Sequence, residues 1–285
     1  ERFSSYLLSE MKNREIPLES KAEILSSILQ SEEVNVDDAT RIFEDLVVQI
    51  TEENMSDEAG AIIALVRNCS FFSSRKINYP NRIFDFLVLI TEKYNDAGDY
   101  KEIRKDYYNV GINQPRGSAV DALLKCPCPE ERKERLFAAL ESLKDASVPT
   151  RSTLLLSMSR LYQYDEEKAL ALYLAVMSDL ELSLLMVPLF AQHPLLYAIY
   201  KHYDKVKEFL NQASSKIGYN DSTIVALWYS WLYGHKDAKE LCLKTLVLDE
   251  GARLSLVSSL YGGGRPEYAQ QYKELLNNLL RFESK

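Results

Sequence analysis

With 285 residues, 46% hydrophobic and 27% charged, the chain can bury a large core and reads as neither disordered nor membrane-embedded. A formal charge of −8, with no basic run beyond the mixed segment "EERKERL" around Arg132, leaves out the electrostatic footprint of a duplex-binding surface, so nucleic acid is not the expected ligand. Ten glycines and nine prolines are few for a turn-rich all-β chain, and helix is the expected structure.

In chain order, the apolar stripe Ala39, Ile42, Phe43, Leu46, Val47 and Ile50 predicts an amphipathic helix capped by Asn35, with Asp37 and Asp38 at its positive end. A second helix opens at Ser56, Asp57 and Glu58 and runs through Ala59, Ile62, Ile63 and Val66. A third has Pro80 in its first turn, ahead of Ile83, Phe86, Leu87 and Ile90. Beyond these, helices are expected at 130–145, 150–163, 166–178, 180–191, 194–203, 204–215, 222–233, 236–248, 250–261 and 265–282. Short connections make neighbours antiparallel. Two-helix units recur at about 35–40 residues early and about 28 later, the range of helical-hairpin solenoids. One pair of units keeps register, Leu196, Ile199, Tyr200 and Tyr203 recurring as Ile224, Leu227, Trp228 and Trp231. The expected fold is therefore all-α: an α-solenoid of stacked antiparallel helix pairs, HEAT-like with degenerate repeats. Repeats span 1–95 and 129–285, with a connector and one helix over 96–128, and one continuous solenoid is an alternative. The polar, aromatic "NDAGDYKEIRKDYYNVGINQP" (95–115) and "YGGGRPEY" (261–268) read as connectors.

Cys69, Cys126, Cys128 and Cys242 without a paired framework fit a reducing compartment, and residues 1–15 lack the order of a signal peptide, so the cytoplasm is expected. No run of about 18 apolar residues exists to span a membrane. The chain begins at Glu1 rather than methionine, from which a piece of a longer polypeptide is expected, with any catalysis in the remainder.

No constellation points to a reaction. "CPCP" at Cys126–Pro129 offers two thiols where structural zinc normally takes four ligands, and it reads as a helix stop. His193, His202 and His235 fall in no metal or nucleophile pattern, and "GGGRPEY" lacks the lysine and hydroxyl of a phosphate-binding P-loop. The acidic cluster "DEEK" at Asp165–Lys168 fits a helix start. No catalytic residue, metal site or cofactor is expected. Eighteen tyrosines, with Trp228 and Trp231, are the unusual feature. Aromatics on successive helices would line a protein-binding face, with Tyr229 and Tyr233 as its candidates, expected to be more exposed than Trp228 and Trp231.

The stretch "GINQPRGSAVDALL" carries one anomaly. Asn113 suits a cap, Pro115 a first turn, and Ala119, Ala122, Leu123 and Cys126 a buried stripe. Gly117 costs about 1 kcal/mol in a helix relative to alanine. Close approach of a neighbouring helix to its backbone would offset that, with Arg116 bonding carbonyls or a carboxylate of the adjacent repeat.

The pattern Ile112, Asn113, Arg116, Gly117, Ala119, Ala122, Leu123 resembles the "NSVRG" helix in the helical-repeat regions of large bacterial NTPases of the STAND class, used in antiviral defence. The likeness covers about a dozen residues. It implies that this chain, which has no P-loop, is the C-terminal HEAT- or TPR-like sensor. Its partner would be a trigger protein, a foreign phage protein for example, with oligomerisation through regions outside this chain. The competing expectations are a passive scaffold whose aromatics mediate self-association, and a helical enzyme whose carboxylates meet in a deep pocket.

Overall fold

The computed structural model of the chain describes residues 11, 15–30, 35–96, 107–178, 192–215, 220–260 and 266–283. Among these residues every regular element is helical and no strand occurs. The chain divides by contact into two units, Glu1–Leu172 and Tyr173–Lys285.

In the first unit the helices are α1 (Leu18–Leu29), α2 (Val36–Val47), α3 (Ala59–Asn68), α4 (Ser70–Ser74), α5 (Asn81–Lys93), α6 (Tyr107–Ile112), α7 (Pro115–Lys125), α8 (Lys133–Glu141), α9 (Val148–Ser157) and α10 (Leu161–Tyr164); α11 (Glu166–Val176) contains the boundary. The reasons for these limits are local. The Asn35 side chain accepts from the amides of Asp37 and Asp38, two of the donors that α2 leaves unpaired. Ser147 does the same for α9 through the Thr150 amide, with Pro149 in the first turn where its missing donor is not needed. Asp165 accepts from the Lys168 amide at the start of α11, so the "DEEK" cluster is a cap.

Packing is between near neighbours. α1 lies against α2 and α3, α3 against α7, and α7 against α9; α2 lies against α5, and α5 against α7 and α8. Phe43, Phe72 and Tyr79 form a buried aromatic chain with centroids 5.9 Å apart at each step, joining α2, α4 and the entry to α5. Within the expected connector and helix over 96–128, residues 107–125 form α6 and α7 and pack inside this unit, because Gly111, Gly117, Ala119 and Ala122 give them a buried small-residue surface rather than a polar one. Residues 97–106 of that connector lie outside the described residues, as do the helix expected at 180–191 and the glycines of "YGGGRPEY".

The second unit holds α12 (Gln192–Ser214), α13 (Asn220–Leu232), α14 (Lys236–Leu248), α15 (Glu250–Leu260) and α16 (Ala269–Glu283). The two helices expected at 194–203 and 204–215 run on as α12, interrupted at His202, whose backbone (φ −137°, ψ 39°) is not helical. α13 packs against α12, α14 and α15, and α14 against α12, α15 and α16. Its centre is aromatic: Trp228 meets Trp231 and Tyr272 edge-on, each at 5.1 Å. The register expected between 196–203 and 224–231 holds at Ile199 and Leu227 and at Tyr203 and Trp231, all buried. It fails at Tyr200, which is 64% exposed where Trp228 is 2%.

Candidate functional site

α7 begins at Pro115, with Gln114 extended before it and no side-chain cap. Asn113, expected as that cap, is not one. α6 continues to Ile112, so Asn113 flanks its end instead, giving its Nδ2 to the Asn109 carbonyl at 2.7 Å and accepting from Arg67 Nη2 at 3.3 Å. Gly117 sits inside α7 and is buried. A Cβ there would lie 2.7 Å from the Gly111 carbonyl carbon and closer still to its oxygen. The close approach expected at Gly117 is therefore made by the end of the preceding helix, α6. Gly111 repeats the device one layer on, where a Cβ would stand 2.8 Å from the Pro149 carbonyl carbon and closer to Pro149 O and Thr153 Oγ1 of α9. Two glycines thus let three helical segments meet backbone to backbone. Ala119 and Leu123, next on the same helix, are buried with them.

Arg116 turns the other way and spends its fork on three elements. Nε donates to Thr91 O at the end of α5 (2.8 Å), Nη1 to Asp96 Oδ1 (3.1 Å), and Nη2 to Ser142 O in the turn after α8 (3.2 Å). Asp96 in turn accepts from the Ser147 amide (3.3 Å), Ser147 Oγ (2.6 Å) and Thr150 Oγ1 at the head of α9. The side chains of Arg116 and Asp96 are only 11% and 5% exposed. A buried charge pair is stable when its remaining donors and acceptors are met, and here they are met by backbone and hydroxyls. The polar atoms of this cluster face one another, so its chemistry is that of a clasp between helices. Sequence reasoning anticipated the kind of partner for Arg116; it missed Asp96, Ser147 and Thr150, whose one local signal was the helix start Ser147-Val148-Pro149-Thr150, a capping serine with proline in the first turn.

The Asp96 carboxyl is pushed up by burial, yet the hydrogen bonds from Ser147 and Thr150 and the charge and hydrogen bond of Arg116 together outweigh burial and hold it below the usual aspartate range. A carboxyl depressed on folding contributes stability above its unfolded value of about 3.9, and that contribution disappears as the pH falls from there through the folded value. Urea midpoints taken between pH 7 and 3 should therefore fall more steeply below about pH 4 for the natural chain than for Asp96→Asn; parallel pH profiles would contradict this.

Burial holds the cysteines in the thiol form. Cys126 ends α7 and gives its thiol to Ile77 O at 3.1 Å, burial pushes the Cys128 thiol up to about 11, and burial pushes Cys242 up to about 12. Among the described residues no three His, Cys, Asp or Glu side chains gather as a metal would require, and no helix is long and apolar enough to cross a membrane. His235 lies at the start of α14 with its ring stacked 3.7 Å from Tyr203.

The candidate binding face lies in the second unit. Tyr233 is 39% exposed and Tyr229 half-buried, while Trp228 and Trp231 beneath them are 2% and 6% exposed. Tyr200, which the sequence aligns with Trp228, joins this face: its ring meets that of Tyr233 at 5.2 Å. Neither a protein-family model nor a curated protein nor a solved structure matches the chain.

Proposed function

We propose that the chain is a non-catalytic helical-repeat module that binds protein, and that it serves as the sensor region of a larger STAND-type NTPase of antiviral defence. The observation that carries the binding reading is the outward pair Tyr200 and Tyr233, held over the buried Trp228–Trp231 layer. Rigid aromatic rings on an ordered support bring large contact area at small entropic cost, and such residues dominate binding hot spots. The solenoid reading is supported by the order of contacts in the first unit: one row runs α1, α3, α7, α9 and a second α2, α5, α8, each helix touching the next of its row. The place within an NTPase rests on the resemblance of the Ile112–Leu123 stretch alone.

The test is capture from lysates of phage-infected bacteria with the chain and with Tyr200→Ala/Tyr233→Ala. The reading expects a protein retained by the first and released by the second, a loss of about thirtyfold or more in affinity, with the thermal midpoint nearly unchanged because both rings are exposed. Equal retention by both chains, or none by either, would contradict it. One observation favours the scaffold reading: Leu254, Val257, Leu276 and Leu280 stand exposed on α15 and α16. Concentration-dependent association in sedimentation velocity would decide for it.

A further inference from the structure

A groove of about 410 Å³ in the first unit collects cations and hydroxyls without any acid among the described residues that line it. Its donors are Ser26 and Gln30 at the end of α1, Arg67 at the end of α3, and Ser70 and Arg75 on and after α4; Phe71 forms an apolar floor. Several described cations pair with carboxylates, as Lys125 does with Asp121, Lys168 with Glu134 and Lys239 with Glu274. Among the described residues Arg67 and Arg75 have no carboxylate within 4.0 Å, in a chain whose net charge is −8.

Arginine near a helix C-terminus needs no ligand to explain it, since the macrodipole favours it there. What the macrodipole leaves unexplained is the unused donor capacity gathered around the two. Each guanidinium carries five N–H groups; Arg67 gives one to Asn113 Oδ1 at 3.3 Å, and Arg75 one to Phe71 O at 3.4 Å while its plane lies 4.0 Å from the Phe71 ring centre. Those contacts aim the side chains and leave most N–H groups unspent. The hydroxyls of Ser26 and Ser70 and the Gln30 amide make no hydrogen bond among the described residues. Two positive charges and this number of donors exceed what one carboxylate uses. They match a phosphoryl group, with its charge of about −1.5 to −2 and three acceptor oxygens.

We infer that the Ser26–Arg67–Arg75 groove binds a phosphoryl group carried on a segment of the partner protein. The inference rests on the protein-binding reading and adds the chemistry of one of the contacts. Arg67 and Arg75 supply charge-assisted bonds to the phosphoryl oxygens, Ser26 and Ser70 add hydroxyl donors, and the Phe71 floor takes the adjoining apolar part of the segment.

The test is fluorescence anisotropy with the whole 285-residue chain and a labelled alanine–glycine peptide bearing one phosphoserine, beside its serine and glutamate versions, with inorganic phosphate as competitor. The phosphopeptide is expected to bind at least about tenfold more tightly than either version, and to lose at least about tenfold on Arg67→Gln/Arg75→Gln and on Ser26→Ala/Ser70→Ala, with the circular dichroism of both variants unchanged. No saturable binding, or equal binding by glutamate and phosphoserine peptides, would overturn the inference. So would affinity that survives both pairs of substitutions. Inorganic phosphate binding as tightly as the phosphopeptide would overturn the partner segment as its source. Tyr200→Ala/Tyr233→Ala should leave phosphopeptide binding intact. A groove that fails beside an aromatic face that still captures protein, or the reverse, therefore separates this inference from the function proposed above.

Discussion

Gly111→Ala is expected to destabilise the first unit by about 1–3 kcal/mol, in the direction opposite to helix propensity. An alanine in a helix is favoured over glycine by about 1 kcal/mol when nothing opposes it. At Gly111 the new methyl would meet Pro149 backbone and Thr153 of α9, and at Gly117 the backbone of Gly111 itself. Backbone cannot swing aside as a side chain can, so α6, α7 and α9 would have to part. Gly60 is the control. A Cβ there would meet only the Glu19 carboxylate, the free end of a flexible side chain, and Gly60→Ala should be neutral or mildly stabilising. Urea denaturation of Gly111→Ala, Gly117→Ala and Gly60→Ala reads this order directly; Gly111→Ala as stable as the natural chain would rule out the close packing described.

The second large effect is at Arg116. Arg116→Ala should cost about 3–5 kcal/mol, because it strands the Asp96 carboxylate in a buried site and leaves the Thr91 and Ser142 carbonyls without their donor. Arg116→Lys should recover little. A lysine ammonium has a single charged centre, and three acceptors on three elements need the spread of a planar fork. Chemical denaturation monitored by circular dichroism checks both, and a loss under about 1 kcal/mol for Arg116→Ala would contradict the clasp.

Much of this architecture is legible before any coordinates. Hydrophobic period gave helices at the observed places over 35–51, 59–66, 80–90 and 130–164, and the Asn35 cap is a property of four adjacent residues. Gly117 stands out because glycine in an apolar helical stripe needs a cause, and the kind of partner for Arg116 follows from its chemistry. What the sequence withheld depends on distance along the chain. Gly111 carries no local signal of its own, since its neighbours Pro149 and Thr153 belong to a helix formed well downstream. Asp96 reads as one polar residue among several in "YNDAGDY" until folding places Ser147 and Thr150 over it. Asn113 has the residue type of a cap, but the extension of α6 to Ile112 turns it to the end of that helix. Tyr200 aligns with Trp228 by spacing, yet the buried stripe of α12 runs through Leu195, Ile199, Tyr203 and Val206 and leaves Tyr200 outward, whereas α13, packed against three helices, is buried at Trp228 as well.

These elements share one proposition, that Arg116 and Gly117 serve to join helices and not to meet a ligand. A double-mutant cycle between Arg116→Ala and Asp96→Asn, followed by urea unfolding at pH 7, addresses it most directly. The clasp predicts a coupling of about 1.5–3 kcal/mol, with the double variant losing much less than the two single losses together. Additive losses within about 0.5 kcal/mol would mean that the two residues do not act on each other.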